Sequence, residues 1–360
     1  MSKRAVIAMS GGVDSTVAAW LMKEQGYDLT AVNLLMHPDS AVDETLVESC
    51  RMMDIPLVVR ECQEAFYNRV LLPGAQEYAA GRTPNPCCEC NAVLKFYELF
   101  AAADELNIQT VVTGHYAALF TQSDGAVKLG SAKDRNKDQS YFLYRLTGKE
   151  LERCCFPLGQ LTKAEVRAIA AEAGLVCASR PDSQDACFQI PGECCGDTLS
   201  RRCKVCGKQG RFIYKGKTVG RHTGIHRYTI GQRQGLGVAL GVPAYIKSIN
   251  ARKGDIELCT DSKELECSRF RIIRTNWQHG IPEADCKMQI KVRYRTPSAG
   301  GFFTLENENS GIVTLDVPQR AVTPGQAAVF YDPDGFLSGG GVIELLPEAD
   351  AAALENSQPQ

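Results

Sequence analysis

Residues 10 to 15 read Ser-Gly-Gly-Val-Asp-Ser and follow the apolar run Ala5-Val6-Ile7-Ala8-Met9. A helical pattern starts at once in Thr16-Val17-Ala18-Ala19-Trp20-Leu21-Met22. A short buried strand, a glycine turn and a helix start in direct succession predict α/β architecture at this end of the chain. The same geometry cradles phosphate, because backbone N–H groups point into the turn and a helix N-terminus favours negative charge. Adjacent Gly11 and Gly12 let the backbone come close to a ligand. The hydroxyls of Ser10 and Ser15 add donors, and Asp14 has the chemistry to hold a magnesium ion or to orient a nucleotide. An ordinary glycine turn is the plainer alternative, but the full string in this context is more specific than a Gly-Gly pair. It is not a Walker loop, since no Gly-Lys-Ser/Thr follows, and the dinucleotide fingerprint Gly-x-Gly-x-x-Gly is absent.

The rest of the first part alternates strand-like runs, at 4–9, 29–35, 57–59 and 110–113, with helical stretches at 15–25, 43–53, 64–80 and 92–106. That alternation predicts a doubly wound parallel sheet with helices on both faces. A further helix at 163–173 meets Gly174 as its stop. We place this domain at 1–192. Residues 193–265 are glycine-rich and basic, and predict a small central domain. From 266 to 346 short β-runs recur at 270–274, 288–294, 301–305, 311–317, 327–331 and 341–346, which predicts a small β-barrel. The polar tail 347–360 shows no packing pattern and is expected to be disordered.

Across 360 residues there is no apolar run long enough for a membrane span, and no signal-peptide pattern precedes the first strand. A cytoplasmic protein without a membrane partner is expected. The net charge of −2 argues by itself against nucleic acid. The distribution argues otherwise: from Thr198 to Gly254 there is no Asp or Glu, while Lys and Arg recur from Arg201 to Lys253. A one-signed stretch of that length reads as a polyanion footprint, with a solvated basic surface as the alternative.

Sixteen cysteines are many for a chain of this kind, and a reducing compartment disfavours a disulfide framework. Cys50, Cys62, Cys177, Cys259, Cys267 and Cys286 stand alone and read as small buried hydrophobes. Two others read as chemical. Cys90, in Thr83-Pro84-Asn85-Pro86-Cys87-Cys88-Glu89-Cys90-Asn91, precedes a helical run, and a thiol at a helix N-terminus has a lowered pKa and becomes nucleophilic. Cys187, in Pro181-Asp182-Ser183-Gln184-Asp185-Ala186-Cys187-Phe188, is the second. The alternative for each is an inert core thiol.

The Ser10–Ser15 string resembles the pyrophosphatase loop of ATP enzymes that adenylate a carbonyl oxygen, among them GMP synthetase, argininosuccinate synthetase and the tRNA thiolases. Further strings extend the likeness over nearly the whole chain. They are Gly81-Arg82-Thr83-Pro84-Asn85-Pro86-Cys87 with Cys90-Asn91, Thr113-Gly114-His115-Tyr116, Lys137-Asp138-Gln139-Ser140-Tyr141-Phe142-Leu143, Asp182-Ser183 with Cys187-Phe188, Tyr228-Thr229-Ile230-Gly231-Gln232-Arg233, Arg293-Tyr294-Arg295 and Ala321-Val322-Thr323-Pro324-Gly325-Gln326. In this order they resemble the bacterial tRNA-specific 2-thiouridylase family. The resemblance implies an adenine-nucleotide alpha hydrolase-like sheet. It also implies ATP-dependent replacement of O2 of the wobble uridine, U34, by sulfur, through an adenylated base and a persulfide. Carried over by position, Ala8, Met9, Ser10, Gly11, Gly12, Val13, Asp14, Ser15, Leu34 and Gly114 would bind ATP. Cys187 would carry sulfur from a donor protein, Cys90 would be the nucleophile, and a Cys90–Cys187 disulfide would remain. Asn85, Pro86 and Cys87 would touch the target base, and His115, Lys137, Asp138, Gln139, Arg293, Tyr294 and Gln326 would contact tRNA.

Two departures from the family pattern predict metals. Many relatives have Asp where Cys87 stands; Cys87, Cys90 and Cys187 would supply three thiolates for a [4Fe-4S] cluster, an iron–sulfur variant of the same thiolation. In place of an expected helix, Cys194-Cys195 and Cys203-x-x-Cys206 would close a structural zinc site. A thiolase for another tRNA position, an amide-forming ligase with the same loop and a nucleotide-binding regulator are the remaining alternatives. The regulator leaves the two cysteines without a role, and the ligase does not call for the basic stretch.

Overall fold

The computed structural model describes residues 3–38, 40–182, 185–283 and 286–346. The tail expected to be disordered, 347–360, and Ser183 lie outside the described residues. The chain divides into two compact units, the first comprising 1–70, 87–188 and 334–338, the second 71–86, 189–333 and 339–360.

The first unit is built on five parallel strands. They are β1 (Lys3–Ala8), β2 (Tyr27–Leu35), β3 (Leu57–Glu61), β4 (Thr110–Val112) and, after the hairpin β5 (Ala117–Thr121) and β6 (Val127–Ser131), the short β7 (Cys154–Cys155). Their order is β3-β2-β1-β4-β7, so β1 is central and the winding reverses between β1 and β4. Ala5, Val6 and Ile7 are fully buried, as a strand covered on both faces requires. Helices α1 (Val13–Glu24), α2 (Glu44–Met52) and α8 (Lys163–Glu172) bear apolar side chains that join this core, among them Val17, Met22, Leu46 and Val166. Capping boxes start α7 (Gly148–Glu152), with Thr147 and Glu150, and α8, with Thr162 and Glu165; Gly174 takes a positive φ just past the end of α8, the stop that the sequence predicted.

Two stretches expected as single helices are interrupted. Residues 64–80 form α3 (Gln63–Phe66), a π-helical turn Tyr67–Leu71 and α4 (Leu72–Ala79). Pro73 has no N–H to close the preceding α-turn, and the wider turn absorbs the gap. Helix α5 (Pro86–Cys90) likewise passes through a π-turn, Asn91–Lys95, into α6 (Phe96–Glu105). No proline accounts for the second. The hairpin β5–β6 was not legible in the sequence; its pairing runs Ala117↔Ser131 to Thr121↔Val127.

In the second unit, α9 (Cys195–Cys203) precedes a four-stranded sheet of β8 (Gly210–Tyr214), β9 (Lys217–His222), β10 (Tyr245–Asn250) and β11 (Asp255–Cys259). Phe212, Ile225, Ile246 and Ile256 fill its small core. Then β12 (Glu266–Trp277), β13 (Met288–Lys291), β14 (Ala299–Asn307), β15 (Ser310–Arg320), β16 (Ala327–Tyr331) and β17 (Phe336–Glu344) form the expected barrel. Pairing of β12 with both β15 and β17 closes it around Phe270, Ile290, Val313 and Phe330.

Candidate active site

In an open parallel sheet the ligand crevice lies beyond the carboxyl ends of the strands where the winding reverses. Here that point is flanked by residues 9–12 after β1 and 113–115 after β4. Gly11 has φ +76°, a conformation that side chains rarely adopt, and Gly12 is the residue before α1. The Ser15 hydroxyl accepts from the Ser10 N–H at 3.2 Å and donates to the Gly12 carbonyl at 3.1 Å, which braces the turn. A cleft of about 500 Å³ opens beside it, lined by Ser10, Gly12, Arg180, Pro181 and Asp182. Gly114 packs against the start of α1 with no room for a side chain: a Cβ there would lie 2.9 Å from the backbone of Asp14 and Ser15. Leu34 stands at the carboxyl end of β2, half-buried.

A charge lattice that sequence reasoning missed surrounds this turn. Lys163 Nζ donates to Asp14 at 2.7 Å and pairs with Asp182 at 3.0 Å, and Tyr116 Oη donates to Asp14 at 2.7 Å. Asp182 also pairs with Lys137 at 3.0 Å and with Arg167. Although burial opposes ionisation, these hydrogen bonds from Lys137, Lys163 and Arg167 hold its carboxyl far below the usual range. Arg180 donates to the Gly11 carbonyl at 3.1 Å and to Asp43 at 2.8 Å. Only Asp14, Tyr116, Lys137 and Asp182 lay in strings the sequence singled out; Lys163 carried no signal beyond the helix cap beside it. With Lys163 only 12% exposed in its side chain, Lys163→Met strands two carboxylates without their shared cation. A loss of about 1–3 kcal/mol is expected, visible as a lowered Tm, with weaker ATP binding by calorimetry.

In the first unit, Cys87, Cys88 and Cys90 stand on α5, and Cys62 and Cys187 interact electrostatically with Cys90. Cys90 ends α5 rather than starting the longer helix, and it is 8% exposed. The lowered pKa expected from a helix N-terminus is therefore corrected. Burial pushes the Cys90 thiol up to about 12, opposed by the charge of Lys95 and reinforced by Cys187, Cys87 and Cys62. Cys62, read as a lone core thiol, is thus a neighbour of Cys90, and burial pushes it to about 11. Cys87 is half-buried and also pushed up by burial, with Lys95 and Cys187 as its charged neighbours. Cys187 is exposed, while Phe188 beside it is buried and packs on Phe66 of α3 at 6.5 Å between ring centroids. Iodoacetamide is expected to label Cys187 before Cys90. Labelling of Cys90 should rise about tenfold per pH unit from pH 7 to 10 without a plateau. Peptide mass mapping checks both; a plateau near pH 8 would contradict the burial argument.

The metal predictions do not fit. Among the described residues, no group of three or more His, Cys, Asp or Glu is arranged to hold a metal ion. Cys87, Cys90 and Cys187 interact electrostatically, but among the described residues they do not form a group placed to hold a metal. The helix expected to be missing is present as α9, and it holds the zinc candidates apart. Cys194 Sγ caps that helix by accepting from the Asp197 N–H at 3.4 Å. Cys195 interacts with Tyr78, Cys203 is buried on the last turn of α9, and Cys206 Sγ lies 3.1 Å from the Ser200 hydroxyl.

Several residues assigned to RNA contact have internal partners. His115 is 9% exposed, stacks on Phe96 at 5.8 Å and bonds Thr113 at 2.7 Å, and burial keeps it neutral. Asp138 is buried and accepts from the backbone N–H groups of Ala132 and Ser140. Both side chains thus have partners within the fold. Gln139 accepts from the Tyr116 N–H at 2.9 Å. In the second unit, Gln326 donates to the Thr83 carbonyl at 2.8 Å, and the Thr83 N–H donates to Pro324 at 2.8 Å. Thr83 also bonds the Thr229 hydroxyl at 3.1 Å, and Arg293 bonds Ile230 at 3.0 Å and Thr323. Three strings distant in sequence thus meet at the start of the Pro84-Asn85-Pro86 loop. Tyr294 lies under Lys291 at 5.5 Å.

The acid-free stretch is partly neutralised by acids on its borders. Arg211 pairs with Asp255 at 2.9 Å, Arg227 with Asp197 at 3.1 Å and Lys247 with Glu264 at 3.0 Å, and Arg201 pairs with Glu193. Lys204, Lys217, Arg221, Arg233, Arg252 and Lys253 remain exposed. Among the described residues no helix is long and apolar enough to cross a membrane.

Residues 3–191 match the family described as tRNA methyl transferase HUP domain. Residues 198–260 match the tRNA methyl transferase PRC-barrel domain, and 267–343 the aminomethyltransferase beta-barrel domain. A tRNA-specific 2-thiouridylase of Syntrophotalea carbinolica is 38% identical over 348 residues, covering 94% of this chain and 98% of that one. Its namesake in Clostridium tetani is 39% identical over 361 residues, covering 96% and 98%. One from Xanthobacter autotrophicus is 38% identical over 363 residues, covering 95% and 93%. A glycine turn at the sheet's reversal point, Cys87, Cys90 and Cys187 in the same unit and a match of this length agree: the chain belongs to the tRNA-specific 2-thiouridylase family.

Proposed function

We propose that this chain forms 2-thiouridine at U34 of tRNA, with ATP and a cysteine persulfide as co-substrates. ATP, as its magnesium complex, lies on Ala8–Ser15 between Leu34 and Gly114. The uridine O2 attacks the α-phosphorus and pyrophosphate leaves, so O2 becomes part of an AMP leaving group. A sulfur-donor protein loads Cys187 as a persulfide, for which its exposure suits it. The terminal sulfur attacks C2 and AMP departs, leaving a C2–S–S–Cys187 adduct. The Cys90 thiolate then attacks Sγ of Cys187. The carbon-bound sulfur takes the bonding pair and becomes the thiocarbonyl, and a Cys90–Cys187 disulfide forms. Protons from the persulfide and from Cys90 pass to water.

The observation that carries this reading is the presence of the phosphate-cradling turn and of Cys87, Cys90 and Cys187 in one α/β unit. Asn85, Pro86 and Cys87 face the target base, and the wobble base leaves its stack to reach them. Lys137, Gln139, Arg293, Tyr294 and Gln326 shape the RNA site, in part through their internal bonds. The exposed bases from Lys204 to Lys253 hold tRNA phosphates, which supply affinity without reading sequence. On this reading 1–192 is the catalytic domain, 193–265 the basic RNA-binding domain and 266–346 the barrel, and the protein works in the cytoplasm.

The test is mass analysis of anticodon nucleosides after incubation with tRNA, ATP and a persulfide donor. Sulfur confined to uridine 34 and dependent on ATP is the expected result. Sulfur absent, or placed at another position, would sink the proposal.

A further inference from the structure

The reaction above consumes two thiols per turnover and leaves them as a disulfide, while the chain keeps a third thiol beside both. Cys87 and Cys90 lie one turn apart on α5, on the same face. Cys187 is within electrostatic reach of each. Its backbone is held on that side by buried Phe188 against Phe66 of α3, the helix that begins next to Cys62, itself a neighbour of Cys90. The three sulfurs are graded in exposure: Cys187 exposed, Cys87 half-buried, Cys90 buried. Neither the persulfide chemistry nor the adenylation uses Cys87 as a thiol.

We propose that Cys87 is a resolving thiol that moves the disulfide from Cys90–Cys187 to Cys87–Cys90 and so frees Cys187 to be loaded again. The proposal rests on the persulfide reading of the reaction. In the exchange, the Cys87 thiol loses its proton to water and its sulfur attacks Sγ of Cys90. The Cys90–Cys187 bond breaks, and Cys187 leaves with the electron pair and takes a proton. No external oxidant or reductant enters this step. Attack at Cys90 is favoured over attack at Cys187 because the sulfur expelled is then the exposed one, where water solvates the charge. Neighbours three apart on a helix have Cβ atoms about 5–6 Å apart, so the disulfide needs the first turn of α5 to close by about 1–2 Å. A small external thiol later reduces Cys87–Cys90 by two further exchanges.

The experiment is one turnover of persulfide-loaded enzyme with ATP and tRNA and without reductant, followed by acid quench, N-ethylmaleimide and tryptic mapping. The peptide from Thr83 to Lys95 contains Cys87, Cys88 and Cys90. A Cys87–Cys90 disulfide therefore appears as a loss of two hydrogens within one peptide. A Cys90–Cys187 disulfide appears as two peptides joined. Expected is the internal disulfide in at least tenfold excess, with Cys187 alkylated, and a reversal to the joined peptides in Cys87→Ser. Joined peptides in both proteins, with 2-thiouridine formed, would overturn the resolving role and leave the proposed function standing. An internal disulfide that persists in Cys87→Ser would assign the role to Cys88 and overturn it for Cys87. Thiouridine formed with no disulfide in either protein would overturn the resolving role and the persulfide route together.

Discussion

Cys90→Ser is expected to lower 2-thiouridine formation by at least about 10³-fold while the protein stays folded. An alcohol at this position neither reaches the thiolate's nucleophilicity nor accepts a disulfide bond, so in an assay without added thiol the C2–S–S–Cys187 adduct loses the group that collapses it. Serine is close to cysteine in volume, and the site already holds a neutral, protonated group, since burial keeps the Cys90 thiol near 12. The structural cost should therefore be near 1 kcal/mol. Two measurements separate chemistry from folding. ATP-dependent pyrophosphate release with tRNA should stay within about threefold of wild type, because adenylation precedes the thiol step. Cys187→Ser should lose activity to a similar extent, and the double variant should be no worse than either alone, because the two act as one unit. More than 10% residual thiolation in Cys90→Ser would remove Cys90 from the mechanism.

Gly114→Ala should cost both stability and nucleotide affinity. The new Cβ would meet the Asp14 carbonyl group and the Ser15 nitrogen at 2.9 Å, and these are backbone atoms of the first turn of α1 rather than flexible side-chain ends. Either β4 or the start of α1 must shift by some tenths of an ångström. Overpacking of this kind costs about 1–3 kcal/mol. The shift falls on Asp14 and Ser15, just after the glycine turn, and it disturbs the 2.7 Å bonds from Tyr116 and Lys163 to Asp14. The Kd for ATP is expected to rise about 10- to 100-fold by calorimetry, with Tm lowered. An unchanged ATP affinity would mean that the turn tolerates the displacement.

The outline of the molecule was legible because it rests on local patterns. Continuous apolar runs such as Ala5–Ala8, caps such as Thr162 with Glu165, and stops such as Gly174 act within one or two turns of chain, so the alternation of strand and helix and the later run of β-strands could be read directly. Pro73 and the Asn91–Lys95 segment show the limit. Helix periodicity carried across both, but the backbone widens into π-turns there, and helix begins already at Pro86, ahead of Cys90. The metal readings failed for the same reason. Cysteine spacing states what sulfurs are near in sequence, but Cys194 is turned to cap α9 and Cys203 is buried at its other end.

By itself the sequence determined the Ser10–Ser15 turn, the α/β unit around it, the barrel and the family likeness, since each is written in contiguous residues. Only the tertiary structure decided the electrostatic state of those residues. Asp14 depends on Lys163 and Tyr116, residues more than a hundred positions away, and Asp182 stays ionised because three cations converge on it. Cys90, which looked like an activated helix-end thiol, is instead buried and protonated. Desolvation is a property of packed volume, and no window of sequence contains the volume that packs around a side chain.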